Sequence, residues 1–294
     1  MAATMNEVRD MTWPSDSQIA QFQRDGAICV RGALDADQIA VVRAVVERML
    51  ADPGPSGQTA SKPGAPEFFE DFCNWQRYPE LLAVITSSGV AELAGGLMGS
   101  PLVRLYHDHV LVKQAGAQQR TPWHQDQPYY NIEGRQNLSA WIPVDPVGRA
   151  TTLEFVAGSH EGTWYLPTTF LDQEAKWFPR GSMRAVPAID GERDQHRILG
   201  WALEPGDIVL FHMLTLHAAA GNSTTTPRRV LSLRFLGADI THAPRPWRTS
   251  PPFPGLDDEL PAGAAMDHPL FPVLWSAQGG AATVDGAASP GQRR

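Results

Sequence analysis

The sequence predicts a mainly β protein: helices come first, then an antiparallel barrel or sandwich packs on them. Three observations carry this. Before Pro101 the apolar residues recur at helical spacing. After it, strand-like runs alternate with turns at 102–113, 138–144, 152–157, 197–203, 207–217 and 228–236. Many short strands punctuated by Gly and Pro are the pattern of an antiparallel barrel or sandwich.

Ser15 to Arg24 reads as a helix with Ser15 or Asp16 as N-cap, and Ala27 to Arg31 as a short strand. Asp35 to Leu50 is an amphipathic helix, with Ile39, Val42, Val46 and Met49/Leu50 on one face. Residues 52–66 carry four Pro and three Gly and are expected to form a loop. Tyr78 to Met98 reads as one further helix, with Pro79 near its start. Residues 161–196 interrupt the strands with a polar and aromatic insertion of lid-like length. From Thr241 the chain is Pro-rich, and Gly279 to Arg294 has the composition of a disordered tail. The expected organisation is a single domain over 1–294: a helical support at 15–100, a β core at 101–240 containing the 161–196 insertion, and the tail at 241–294.

A chain of 294 residues, 43% hydrophobic and 19% charged, has ordinary globular composition. Its net charge of −8 gives no electrostatic support to a nucleic-acid or anionic-membrane role. The only cysteines, Cys29 and Cys73, suggest a reducing compartment without a disulfide framework. No apolar run reaches membrane-spanning length, and Met1 to Pro14 lacks the apolar core of a signal peptide. A cytoplasmic protein acting on a small molecule is the expectation; oligomeric state is not legible.

Chemistry concentrates at Thr-Pro-Trp-His-Gln-Asp. His124 and Asp126 are two residues apart, and on extended backbone such residues face the same side. Imidazole plus carboxylate suits Fe(II), Mn(II) or Zn(II). With one distant His they would make a facial triad, which leaves coordination positions open for a cosubstrate and O2. Trp123, Tyr129 and Tyr130 surround the motif with aromatic surface. The distant ligand is His217, 93 residues on, or His212. Read as one strand over 207–217, these two point to opposite faces, and both faces are apolar, so periodicity does not choose. His107-Asp108-His109 forms a rival His-X-His pair on another strand, whose parity puts His109, Leu111 and Lys113 on one face. His160 reads as a turn residue. Arg228 opens the strand Arg-Arg-Val-Leu-Ser-Leu-Arg-Phe, 11 residues past His217, with room for a turn between. A buried arginine there could hold a carboxylate in bidentate fashion.

The motifs in order resemble one family. Thr-Pro-Trp-His-Gln-Asp-Gln, Leu-Ser-Ala-Trp-Ile-Pro and Leu-Glu-Phe-Val-Ala-Gly-Ser-His are followed by Pro-Gly-Asp-Ile-Val-Leu-Phe-His…Leu-His and Arg-Arg-Val-Leu-Ser-Leu-Arg. Over roughly residues 16–240 the chain is similar to the phytanoyl-CoA dioxygenase family of Fe(II)- and 2-oxoglutarate-dependent oxygenases. The resemblance implies a double-stranded β-helix (jelly-roll, cupin-like) core and a dioxygenase that consumes 2-oxoglutarate and O2. It places the iron ligands on His124, Asp126 and His217 and the 2-oxoglutarate arginine on Arg228, which selects His217 over His212. It puts Trp141 beside the cosubstrate, with Gln125, Ser139 and His109 at or near positions that line it.

Two positions depart from the family pattern: Arg149-Ala150-Thr151-Thr152 stands where Asn-Gly is usual, and Ala218 follows the distal His. Iron halogenases related to the family replace the carboxylate ligand with a small residue, so Asp126 points to hydroxylation. Substrate contacts are expected from Tyr129, Tyr130, Trp164, Trp177, Arg180 and Arg234. The implied reaction hydroxylates an unactivated C–H of a small metabolite or natural-product intermediate, giving succinate and CO2. Desaturation, epimerisation, rearrangement and acyl-CoA hydroxylation are alternatives within this chemistry. A cupin-like isomerase using His107 and His109, and a non-catalytic binding protein, are alternatives outside it.

Overall fold

In a computed structural model, which describes residues 13–167 and 183–281, the β core is two antiparallel sheets facing each other. The helices are α1 (Asp16–Asp25), α2 (Ala36–Ala51), α3 (Pro79–Ser87), α4 (Val90–Met98) and the short α5 (Leu256–Glu259). The strands are β1 (Ala27–Val30), β2 (Gln58–Thr59), β3 (Phe68–Phe72), β4 (Leu102–Lys113), β5 (Thr121–His124), β6 (Ile132–Glu133), β7 (Asn137–Pro143), β8 (Leu153–Val156), β9 (Ile198–Leu199), β10 (Ile208–Phe211), β11 (His217–Ala219), β12 (Arg228–Leu236), β13 (Thr241–His242), β14 (Val273–Ser276) and β15 (Gly280–Ala281). Among the described residues the larger sheet runs β1-β10-β7-β12-β4-β14-β15, with β3 also on β4 and β2 on β3; the smaller runs β5-β11-β8-β9. This is the double-stranded β-helix arrangement.

Strand alternation sorts the larger sheet's two faces. On β12, Leu231, Leu233 and Phe235 face outward and pack with Ile39, Val42, Val46 and Met49 of α2 and with α3 and α4. Arg228, Ser232 and Arg234 face the smaller sheet across a cavity. Helix α2 forms because its apolar residues share a stripe and Asp35 caps it, accepting from Gln38 N at 2.8 Å. Ser15 closes the same kind of box with Gln18 on α1.

Four segments differ from expectation. The helix read over 78–98 is two helices bent by 54°, because Ser88-Gly89 breaks it and Gly89 sits at φ +77°. The strand read over 197–203 pairs only at Ile198–Leu199. The run 207–217 is not one strand: Ile208–Phe211 lies in the larger sheet and His217–Ala219 in the smaller, joined by a turn in which Thr215 N bonds His212 O at 2.8 Å. The parity argument over His212 and His217 therefore has no strand to act on. The Pro-rich tail contributes β14 to the larger sheet against β4 and buries Leu256, Met266 and Phe271 in a second core with Tyr106 and Tyr130. Within the stretch read as a loose tail from Gly279, Gly280–Ala281 pairs with β14, and residues 282–294 lie outside the described residues.

The turn that delivers Arg228 is held by Asn222. This buried amide donates to Lys113 O at 3.0 Å and Thr226 O at 2.8 Å. Asn222→Ala removes these bonds and leaves the buried Lys113 carbonyl without this donor, so chemical denaturation should show a loss of about 1–3 kcal/mol in unfolding free energy.

Candidate active site

The site lies between the sheets. His124 ends β5 and His217 begins β11, and the two are register partners, so sheet pairing alone brings the rings to 4.1 Å between centroids. Asp126 reaches them differently from the extended reading. The chain leaves the strand after His124, and Asp126 takes helical backbone (φ −78°, ψ −46°) at the start of a 3-10 turn. Its Oδ1 then lies 3.6 Å from His124 Nε2 and 3.7 Å from His217 Nε2. All three side chains are buried.

The protonation pattern fits a cation. His124 Nδ1 lies 2.8 Å from Pro122 O, and His217 Nδ1 lies 2.9 Å from Thr215 O. A carbonyl can only accept, so each Nδ1 carries the proton and each Nε2 presents a lone pair. Burial, and then the neighbouring His124, push His217 down to about 3, so it is neutral. Burial works against charge on Asp126, yet the Arg234 guanidinium 3.1 Å away holds its carboxyl well below the ordinary range. Two lone pairs and a carboxylate oxygen thus converge without a proton between them, and a bound cation is what stabilises that arrangement. Among the described residues this is the one group of three His, Cys, Asp or Glu side chains that could hold a metal ion.

Asp126 Oδ2 is held from behind. Ser139 Oγ donates to it at 2.7 Å, and Arg234 Nε lies 3.1 Å away while donating to Tyr130 Oη at 3.0 Å. Two expectations change here. Ser139 lies outside the cavity lining with its hydroxyl on Asp126, and Arg234 lines the cavity with Nε on Asp126 Oδ2 and Nη1 donating to Ser232 Oγ. Gln125 also departs from its expected place. One residue out of phase with its neighbours, it turns away from the cavity, donating to Leu214 O at 2.8 Å and accepting from Tyr165 N at 2.9 Å.

The cavity has a volume of about 300 Å³ and is lined by His124, Asp126, His217, Trp141, Tyr129, Tyr130 and Arg228. Arg228 marks its far end. Its guanidinium is buried, donates to Thr151 O and stands 5.8 Å above the Trp141 ring. Thr151 belongs to the departure from the family motif, so that altered turn braces this arginine. Burial lowers Arg228 to about 10, and among the described residues no carboxylate pairs with it. Lys113, its register partner, is buried as well, donating to Ala220 O at 3.1 Å. A buried guanidinium without a carboxylate partner is a receptor for an anion.

His109 lines the cavity. His107 lies outside its lining, with Nδ1 3.1 Å from Asp108 O. The rival His107–His109 pair therefore joins no group of three among the described residues. His212 and His160 are structural: their Nε2 atoms meet Arg135 O at 2.9 Å and Gln23 O at 3.2 Å. Trp164 stacks with Arg245 at 5.3 Å and is not part of the cavity lining. Trp177 and Arg180 lie outside the described residues. Sequence reading missed Glu70, Phe72 and Ser232. Ser232 was recoverable from β12 parity; Glu70 and Phe72 follow a Gly- and Pro-rich stretch and carried no signal.

A family model for phytanoyl-CoA dioxygenase (PhyH) matches residues 22–230. The chain belongs to the phytanoyl-CoA dioxygenase family. The dioxygenase is 26% identical over 169 residues to a probable phytanoyl-CoA dioxygenase of Caenorhabditis elegans, a match spanning 55% of this chain and about half (52%) of that relative. It is 22% identical over 271 residues to the ectoine dioxygenase of Sphingopyxis alaskensis, covering 84% and 88% of the two chains. Among solved structures it is similar to the non-haem alpha-ketoglutarate-dependent epimerase SnoN from nogalamycin biosynthesis, with TM-score 0.68, 26% identity and coverage of 87% and 96%. The carbocyclase SnoK shares the fold with TM-score 0.70 at 21% identity, covering 88% and 96%.

Two outcomes are expected for this dioxygenase. Asp126→Ala should abolish measurable Mn(II) binding by calorimetry, whereas Ser139→Ala, which only frees Oδ2, should weaken it about 10-fold. In the metal-free protein, His212 and His217 both sit near 3, below the 6.5 of an unfolded histidine. The unfolded chain therefore takes up protons that the folded one refuses as pH falls from about 6.5 toward 3, and stability drops across that window. Thermal unfolding at pH 7.5, 6 and 5 should show Tm level above the window and falling within it.

Proposed function

We propose that this family member is an Fe(II)- and 2-oxoglutarate-dependent dioxygenase that hydroxylates an unactivated C–H of a small metabolite or natural-product intermediate. One observation carries the reading: a buried, anion-free Arg228 closes the same cavity whose other part holds the His124–Asp126–His217 cluster. A metal site alone would serve many enzymes. A metal site facing an unpaired buried guanidinium suits a metal chelator with a second carboxylate, and 2-oxoglutarate is such a molecule.

His124, Asp126 and His217 would hold iron through Nε2, Oδ1 and Nε2. Arg228 receives the distal carboxylate in bidentate fashion, and Lys113 adds positive potential behind it. Trp141 walls the cosubstrate, while Tyr129 and Tyr130 close the cavity on the metal side. Iron with 2-oxoglutarate and O2 supplies the oxidising chemistry, and the cosubstrate leaves as succinate and CO2. Ser139 and Arg234 keep Asp126 pointed at the metal with one oxygen only, which leaves the remaining positions open. Asp126 itself supports hydroxylation over halogenation, because the carboxylate occupies the place a halide would need.

The cavity favours a small substrate, and an acidic chain offers an acyl-CoA no general attraction. The likeness to SnoN, an alpha-ketoglutarate-dependent epimerase, keeps epimerisation as the second reading. A small-molecule screen for O2-dependent succinate release with Fe(II) and 2-oxoglutarate tests the activity, and mass analysis of the product separates a gain of one oxygen from none. In the same assay Arg228→Gln should raise the 2-oxoglutarate KM about 100-fold while Mn(II) affinity stays within about twofold. An unchanged KM would refute the anchor.

A further inference from the structure

A second polar pair lines the same cavity as the metal cluster and the arginine. Glu70 on β3 and His109 on β4 are both buried, and both line the space. Glu70 Oε2 and His109 Nε2 face each other at 3.6 Å, and neither atom has a hydrogen-bond partner among the described residues. Glu70 Oε1 is tied separately, accepting from Gln58 Nε2 at 2.6 Å. Phe72, the register partner of His109, stacks on its ring at 3.9 Å and 21°. The imidazole thus has a carboxylate facing one nitrogen and an aromatic ring stacked on its face. The two nitrogens of an imidazole point away from each other, so with Nε2 buried against Glu70, Nδ1 is the nitrogen on the cavity edge.

Burial disfavours the charged ring more than Glu70 favours it, which leaves His109 neutral. A neutral imidazole beside a carboxylate keeps its proton on the nitrogen facing that carboxylate, and its other nitrogen is a bare acceptor. A bare acceptor in a closed cavity needs a donor. A carboxylate placed there would meet a lone pair backed by Glu70, while the cationic end at Arg228 already receives carboxylates.

We infer that Glu70 and His109 form a substrate-recognition pair that selects molecules presenting a hydrogen-bond donor, a hydroxyl or an amine, and rejects anionic groups at that wall. The inference rests on the dioxygenase reading above and narrows its substrate class. His109 is then a specificity-determining residue, and Glu70 sets its tautomer.

Two measurements test this. In the full chain with 15N-labelled histidine and Zn(II) in the metal site, the His109 nitrogens at pH 7 should report the neutral Nε2–H tautomer. The Nδ1–H tautomer or a charged ring would overturn the proposal without any substrate being known. In the succinate-release assay, small cyclic alcohols and amines are each matched with their O- or N-methylated forms and with the corresponding carboxylic acids. Donor-bearing members should stimulate release at least about tenfold more than capped or acidic ones, and His109→Phe should flatten that ratio to about twofold. Best stimulation by the acids, no stimulation by any donor-bearing member, or an unchanged ratio in His109→Phe would sink it. Alcohols and amines run as separate arms, so the preferred donor is read directly. Anaerobic 2-oxoglutarate binding to the wild-type Mn(II) protein is measured alongside; its absence refutes the dioxygenase reading and not the tautomer.

Discussion

Two buried arginines on one face of one strand are the constraint around which the molecule is arranged. Arg228 and Arg234 are six residues apart on β12, their Cα atoms about 20 Å apart along the strand, and both side chains enter the same cavity. A guanidinium inside a protein is costly unless it is paired. Arg234 is paired with Asp126, and the pairing does more than neutralise charge: it occupies Oδ2 and leaves Oδ1 for the two histidines. Arg228 has only a carbonyl and an aromatic face. The strand thus carries one satisfied cation beside the metal cluster and one unsatisfied cation at the far end, and the difference orients any anion that enters.

The rest of the framework makes that difference sustainable. Lys113 stands beside Arg228 across β4 and β12, a like-charge pair in a dry place, and burial followed by Arg228 pushes its pKa well down. Its ammonium is eased by Thr121 Oγ1, Ala220 O and the Phe68 ring 4.6 Å away, none of which carries charge. Helices α2, α3 and α4 cover the opposite face of the same sheet with an unbroken apolar core, so β12 cannot shift to bring Arg228 to solvent without exposing Leu231, Leu233 and Phe235. The positive end is kept where it is by hydrophobic burial on the other side of the strand.

Legibility in the sequence followed the range of the interactions. Capped helices and alternating strands are local, and α1, α2, β4 and β12 were readable within a residue or two. The break at Gly89 and the turn at 212–216 were not, because an apolar run looks the same whether or not it changes partner midway. His124, Asp126, His217 and Arg228 were found through motif order rather than through periodicity, and the argument from one strand over 207–217 was unsound even though the residue it accompanied lies in the cluster. Arg234 enters the expected space with a different partner, whereas Gln125 and Ser139 lie outside the cavity lining: a position on a face does not say which atom a side chain meets. Glu70 sits on β3, a strand that pairs with β4 some forty residues later, and only tertiary pairing makes it a neighbour of His109.

The same fold carries proteins described as an epimerase and a carbocyclase, and a relative is named an ectoine dioxygenase, so the fold does not choose the outcome. What differs between such enzymes has to lie in the walls that touch neither the metal cluster nor the anion end. In this chain that wall is β2, β3 and the inward face of β4, where Gln58, Glu70, Phe72 and His109 stand together. A cavity with the His124–Asp126–His217 cluster at the smaller sheet, Arg228 on the larger, and a carboxylate–imidazole pair on β3 and β4 of that same larger sheet has three chemically distinct contacts. Two of them suit the ends of a chelating dicarboxylate. The third has opposite polarity, and that opposition is the physical reason to assign it to the substrate.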